Sequence, residues 1–257
     1  MLLAIDVGNT QTVLGIYDGA TLVHMWRLAT DHVRTSDEIR VQLGGLLSMA
    51  EADVSSIDGA VLATVVPTLK RRWQKVCRVM FDCEALAVEA QAVSQLLDTS
   101  AYRNQVSFGA DRIADAVAAR ELYGSPIIVL DFGTATNMEA VDRDGRFAGG
   151  IIAPGVETSM KALFSGAALL PEVELIDPQT ALGLDTVEAM QIGIVYGEAD
   201  RVDGLVRRMW QQLGYETSVV ATGGLCTAFA PLCSTVTHIN PELTLEGLRL
   251  IYNYLAG

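Results

Sequence analysis

Two stretches of this 257-residue chain set the same residue types in the same order. "LLAIDVGNTQT" occupies residues 2–12 and "IIVLDFGTATN" residues 127–137. Each is an apolar run that ends in an aspartate, Asp6 or Asp131, and passes through a glycine to a threonine. The two aspartates are 131 − 6 = 125 residues apart, about half the chain. This is a pattern for holding phosphate. Glycine lets the backbone come close to an anion and adopt positive φ. Asparagine and threonine add donors, and an aspartate at the end of a strand can hold a hydrated metal ion. One such stretch could equally be an ordinary hairpin turn. Two copies, each followed by a second strand, argue against that reading.

A different chemistry is written in "YRNQVSFGADRIADAVAA", residues 102–119. It sets Asp111 and Arg112 at a helix start opened by Gly109. An acid and an arginine there could deprotonate and orient an alcohol; helix capping by Asp111 beside a surface Arg112 is the structural alternative. "VVATGGL", residues 219–225, is a strand, paired glycines and a helix start. It offers space for a flat ring and N–H groups at a helix N-terminus, or it is only a tight turn. The P-loop pattern G-x-x-x-x-G-K-[ST] and the dinucleotide pattern G-x-G-x-x-G are both absent. The only lysines are Lys70, Lys75 and Lys161, and none follows a glycine. A nucleotide site in this chain must therefore be built from β-hairpins.

The elements that would carry these residues repeat in order. Residues 2–7, 12–17 and 21–28 read as three strands with turns between them. "TSDEIRVQLGGLL" is a helix capped by Thr35 or Ser36, with Ile39, Leu43, Leu46 and Leu47 on one face. "DGAVLATVVP" is a buried strand stopped by Pro67, and "TLKRRWQKVCRVMF" is the helix after it. In the second half, residues 127–131, 135–142 and 146–152 are strands, and "PGVETSMKALFSGA" opens a helix. A long helix begins at Thr186, where Asp185 and Glu188 have capping-box spacing. "PELTLEGLRLIYNYL" is a terminal helix. No low-complexity linker separates the halves, so they are expected to share an interface and exchange a helix or two. The expected division is residues 1–117 and 118–257.

Bulk composition restricts the partners. The chain has 31 acidic and 18 basic residues, a net charge of −13. A nucleic acid partner is not expected, because its binding rests on basic phosphate contacts. No apolar stretch is long enough to span a bilayer, and the start lacks the basic region of a signal peptide, so no membrane partner is expected and a cytoplasmic location is. Cys77, Cys83, Cys226 and Cys233 form no C-x-x-C pair, and His24, His32 and His238 are scattered. Buried free thiols fit this better than a zinc site.

The order of motifs resembles the superfamily of acetate and sugar kinases, the heat-shock chaperone ATPase and actin. That resemblance implies an α/β fold of two ribonuclease-H-like domains, with mixed sheets flanked by helices, gripping one nucleotide. Within it the chain resembles the type III pantothenate kinases over essentially its whole length. The carriers are "DVGNT" (6–10), "GADR" (109–112), "DFGTAT" (131–136), "GGIIAPG" (149–155), "TVEAMQIGIVYG" (186–197), "ATGGL" (221–225) and "LTLEGLRLIY" (243–252). The family implies ATP-dependent phosphorylation of pantothenate to 4'-phosphopantothenate, the first step of coenzyme A biosynthesis. By resemblance, Asp6, Val7, Gly8, Asn9, Thr10, Gln11, Thr12 and Val13 form the first ATP-phosphate loop, and Thr134 is a further ATP contact. Tyr102, Gly109, Ala110, Asp111, Arg112 and Thr186 match pantothenate contacts, and Asp111 matches the catalytic base. Asp131 matches a ligand of a monovalent cation, potassium or ammonium, and Mg²⁺ accompanies the ATP. The family is typically a homodimer, to which the apolar helix from Thr186 would contribute. Gln11 stands where asparagine is common, and Gln105 where proline often precedes "GADR". Rival readings are another enzyme of the superfamily, such as a polyphosphate phosphatase or sugar kinase, and a non-catalytic ATP-binding regulator.

Overall fold

The computed structural model describes residues 1–104, 108–166 and 170–257. They form two compact units, Met1–Ala118 with Leu243–Gly257, and Ala119–Glu242. In the first unit, β1 (Leu2–Val7), β2 (Gln11–Asp18), β3 (Thr21–Ala29), β4 (Gly59–Thr64) and β5 (Ala85–Ala87) make one sheet, in the order β3-β2-β1-β4-β5. The β1–β2 and β2–β3 pairs are antiparallel, and β4 joins β1 in parallel. Side chains alternate across a strand, so Leu3, Ile5 and Val7 point to one face. There they pack with Leu43 and Leu47 of α1 (Ser36–Met49) and Trp73 and Val76 of α2 (Pro67–Phe81).

The other face of this sheet receives α7 (Leu243–Ala256), which packs on β1, β2 and β4. Glycines make that approach possible. A Cβ on Gly15 would lie 2.9 Å from Leu245 Cδ1, and one on Gly59 would collide with the Tyr252 ring. On the far side of the helix, a Cβ on Gly247 would run into the Ala114 backbone of α3 (Ala110–Tyr123). The Thr244 hydroxyl donates to Asp115 Oδ1 at 2.7 Å and fixes the same contact. A division by chain order puts α7 with the second half, whereas it belongs to the compact body of the first.

The second unit repeats the plan. Its sheet holds β6 (Ile127–Phe132), β7 (Ala135–Val141), β8 (Phe147–Pro154), β9 (Ser218–Thr222) and β10 (His238–Ile239), ordered β8-β7-β6-β9-β10. The central strand again has an antiparallel neighbour on one side and a parallel one on the other. Asp6 stands opposite Val13 and Ala63, and Asp131 opposite Asn137 and Thr222. Each aspartate is thus the penultimate residue of its central strand, just before a hairpin. Ile128, Leu130 and Phe132 pack with Val195, Val202 and Val206 of α5 (Thr186–Leu213) and with Phe229 of α6 (Cys226–Phe229). Beside α5 runs α4 (Val156–Gly166). Two mixed five-stranded sheets with flanking helices are the α/β architecture expected from the sequence.

Thr35 caps α1 in a complete capping box with Glu38. At α5 the box closes differently. Asp185 accepts from Glu188 N at 2.9 Å, but Glu188 Oε2 accepts from Leu184 N, one residue before the cap. Among the described residues no helix is long and apolar enough to cross a membrane.

Candidate functional site

The first hairpin is tied at its base and open at its tip. Gly8 N donates to Gln11 O at 2.9 Å, and a side chain on Gly8 would press on that oxygen at 3.0 Å. Val65 N donates to Val7 O at 3.2 Å and Thr30 N to Thr10 O at 2.8 Å. The hydroxyls of buried Thr12 and of Thr30 are 2.8 Å apart, and His32 Nε2 lies 2.9 Å from Asn9 O. Asn9, Thr10 and Gln11 are exposed, while Asp6, Gly8 and Val13 are half-buried and Val7 is buried. The loop therefore presents backbone and side-chain polar groups on a rigid base, which suits phosphate binding.

At the start of α3, Ala110 is buried and Gly109 O accepts the first helical bond from Ile113 N at 3.1 Å. Asp111 lies in the first turn, where a helix favours negative charge, and its Oδ1 accepts from Arg112 N at 2.9 Å. A Cβ on Gly109 would collide with that oxygen, so glycine is what lets the carboxylate fold back over the helix start. Burial pushes the Asp111 carboxyl above its ordinary value of 3.8, against the opposing pull of the Arg112 N–H and charge. Arg112 is itself buried. Its guanidinium stands 5.6 Å from the Tyr102 ring centre and 5.1 Å from that of Phe108, and Nη1 donates to the Tyr102 hydroxyl at 3.4 Å. Tyr102 and Phe108 stack at 4.6 Å. Tyr102, Gly109, Ala110, Asp111 and Arg112 thus form one cluster in which cation–π contact fixes the arginine. Arg112 is a buried group in this cluster, unlike the surface residue of the capping alternative. Phe108 was not singled out in the sequence, although its position between Tyr102 and Arg112 is a usable signal. Gln105 lies outside the described residues.

The second hairpin mirrors the first. Gly133 N donates to Ala135 O at 3.1 Å, Leu225 N to Phe132 O at 3.2 Å and Gly155 N to Thr134 O at 3.1 Å. The Thr158 hydroxyl also donates to Thr134 O, at 2.7 Å. Thr134 is exposed and Asp131 half-buried. A Cβ on Gly155 would overlap the Gly133 and Thr134 carbonyls, and one on Gly223, where φ is +92°, would overlap Asp131 Oδ1. On the Cβ side of Gly223 the backbone is packed against Asp131 and Phe132, which explains the glycine there. Register puts Asp131, Asn137 and Thr222 side by side on one face of the sheet. Asn137 Oδ1 and Thr222 Oγ1 are buried and have no hydrogen-bond partner among the described residues. One carboxylate beside neutral oxygens fits a hard, weakly charged cation. Among the described residues no group of three or more His, Cys, Asp or Glu side chains could hold a metal ion.

Thr186, the first residue of α5, is exposed. It lines a cleft of about 920 Å³ whose walls include Val156 and Leu163 of α4 and Met190, Ile194 and Arg201 of α5. The four cysteines are free, and burial pushes the thiols of Cys77 and Cys233 up to about 12.

Comparison with known proteins follows the same lines. The family model described as type III pantothenate kinase matches residues 2–208. A type III pantothenate kinase of Streptomyces avermitilis is 46% identical over 263 residues, covering 98% of this chain and 97% of the relative. One from Halalkalibacterium halodurans is 43% identical over 252 residues, covering 98% of both. Among solved structures, the activator of 2-hydroxyisocaproyl-CoA dehydratase from Clostridium difficile aligns with a TM-score of 0.60 at 14% identity, over 99% of this chain and 95% of that one. The hexokinase of the ROK group from Thermus thermophilus aligns at 0.52 and 12%, over 97% of each. These two share the fold of this chain. With its hairpins, its "GADR" helix start and a family match over most of its length, the chain belongs to the type III pantothenate kinase family.

Proposed function

We propose how this chain carries out its family's reaction, the ATP-dependent phosphorylation of pantothenate that opens coenzyme A biosynthesis. The observation that carries the proposal is the Asp111 carboxylate, half-buried at the start of α3 and held there by Gly109 and Arg112. Asp111 accepts the proton of the pantothenate primary hydroxyl as that oxygen attacks the γ-phosphorus. A carboxylate raised above 3.8 is a better base than an ordinary one. Tyr102, Gly109, Ala110, Arg112 and Thr186 bind and orient the pantothenate.

Phosphoryl transfer needs alignment and charge neutralisation more than covalent help. The loop from Asp6 through Val7, Gly8, Asn9, Thr10, Gln11 and Thr12 to Val13 holds ATP phosphates, and Thr134 contacts the nucleotide. Asp6 would position hydrated Mg²⁺. Asp131, beside Asn137 and Thr222, would hold potassium or ammonium. These ions supply positive charge at the phosphates in a chain that carries −13. An ATP-consuming enzyme with four free cysteines suits the cytoplasm.

The homodimer also belongs to this proposal. Val195, Val202 and Val206 are used within their own unit. What remains on α5 and the segment before it is Leu184 at 94% exposure, Val187 at 41%, and open space beside Gly193, Gly197 and Gly204. A second copy of the chain would cover that surface.

A coupled kinase assay with pantothenate, in potassium and in sodium-only buffer, tests the reading. Turnover is expected in potassium and a large drop in sodium. Equal rates in the two buffers, with Asp131→Ala also unaffected, would remove the cation role.

A further inference from the structure

Glu198 and Arg201, in the wall of the cleft that Thr186 lines, have no role assigned above, yet they form a charge pair in which Glu198 is buried and Arg201 half-buried. Glu198 is 5% exposed on α5, and Arg201 Nη2 pairs with its carboxylate. A carboxylate as buried as Glu198 is unfavourable unless it is paired and its remaining hydrogen bonds are good. At the matching place in the first unit the partner is a neutral group. There Thr12, opposite Val7, is held by the neutral hydroxyl of Thr30 at 2.8 Å. In the second unit the matching threonine is Thr136, opposite Phe132, and its hydroxyl donates to Glu198 Oε1 at 2.7 Å.

Arg201 extends the grip to the other side of the hairpin. Its Nη2 donates to Pro154 O at 2.7 Å and lies 3.4 Å from the Thr136 hydroxyl. Pro154 ends β8, and the next residue, Gly155, binds Thr134 O through its N–H with no room for a side chain. One ion pair therefore fixes Thr136, just after the hairpin tip, and the Pro154–Gly155 corner that clamps Thr134. Residues held in this way stay near one geometry because their supporting contacts are locked.

We propose that Glu198 and Arg201 are positioning residues for the second phosphate hairpin and set the use of ATP through Thr134. This rests on the assignment of Thr134 to ATP made above. Steady-state kinetics on the full chain test it, with Thr134→Ala as reference. Arg201→Met is expected to raise KM for ATP about tenfold and to leave KM for pantothenate within about twofold. Arg201→Lys recovers part of the loss. In a Thr134→Ala background, Arg201→Met adds less than about twofold, because the residue it positions is gone.

The proposal is overturned by equal rises in both KM values, a rise for pantothenate alone, full additivity with Thr134→Ala, or unchanged kinetics with only a lower Tm. A rise in Thr134→Ala without one in Arg201→Met defeats the positioning role alone. No rise in Thr134→Ala defeats the ATP assignment and the proposal with it. Should Arg201→Met fail to fold, Thr136→Val removes one hydroxyl from the same network. It must show the same ATP-selective rise, and an unselective or absent effect overturns the proposal.

Discussion

Asp111 is where the chemistry is most exposed to a single change. Asp111→Asn keeps the size of the side chain and the bond from Arg112 N, but loses the basic oxygen. A general base contributes about 10²–10⁴-fold, so kcat should fall by that order while the far-ultraviolet circular dichroism spectrum stays unchanged. Near-normal kcat would end the base assignment. The pH profile gives an independent reading. Because burial raises this carboxyl, the acid limb of kcat/KM should fall at a pKa above 3.8. Activity is present above that pKa and lost below it, and the limb should vanish from the residual rate of Asp111→Asn. At this scale much was legible. The aspartates, glycines and threonines of both hairpins announced themselves by recurring in order. Glu198 did not, because its partner Thr136 is brought to it by packing across the fold, whereas Phe108 carried a local signal in standing between Tyr102 and Arg112.

Among the elements, α5 is anchored by Asp203. This buried carboxylate accepts from Ser234 N, the Ser234 hydroxyl, Thr235 N and the Thr235 hydroxyl. Burial works to raise it, and these donors outweigh burial and bring it below 3.8. A carboxyl depressed in the folded state adds stability above its ordinary value and loses it as pH falls toward the folded one. Asp203→Asn should therefore lower stability by about 2 kcal/mol at pH 7. The gap from the parent should narrow below pH 4, as urea melts at several pH values would show. An equal gap at every pH would contradict it. The α3–α7 contact invites a steric test. Gly247→Ala drives a methyl group into the Ala114 backbone and should cost about 1–3 kcal/mol, measured as a lower urea midpoint. No loss would mean that the helices separate freely. Long elements were readable from their periodicity and caps. The edge strands β5 and β10 were not, since three and two residues carry no period. An exchanged helix was expected, but not that it is α7, whose seat on the first sheet depends on absent side chains at Gly15, Gly59 and Gly247.

For the whole molecule, the doubled plan is the main result. Two sheets share one strand order and place their aspartates alike, which is what a 125-residue spacing in the sequence suggested. The dimer is tested at this scale. Light scattering at micromolar concentration should give twice 27.5 kDa, and a mass near 27.5 kDa would defeat it. Leu184→Glu with Val187→Glu should shift the protein toward the smaller mass. The way the first unit is closed has a consequence for how the protein is made. Chains emerge from the ribosome N-terminus first, and domains commonly fold in that order. Here the sheet of residues 2–87 lacks the helix that covers one of its faces until Leu243–Gly257 has been synthesised. The second unit, Ala119–Glu242, is continuous in sequence. During translation the later-made half can thus mature first, while the earlier-made half waits, one apolar face uncovered, for residues 243–257 to leave the exit tunnel.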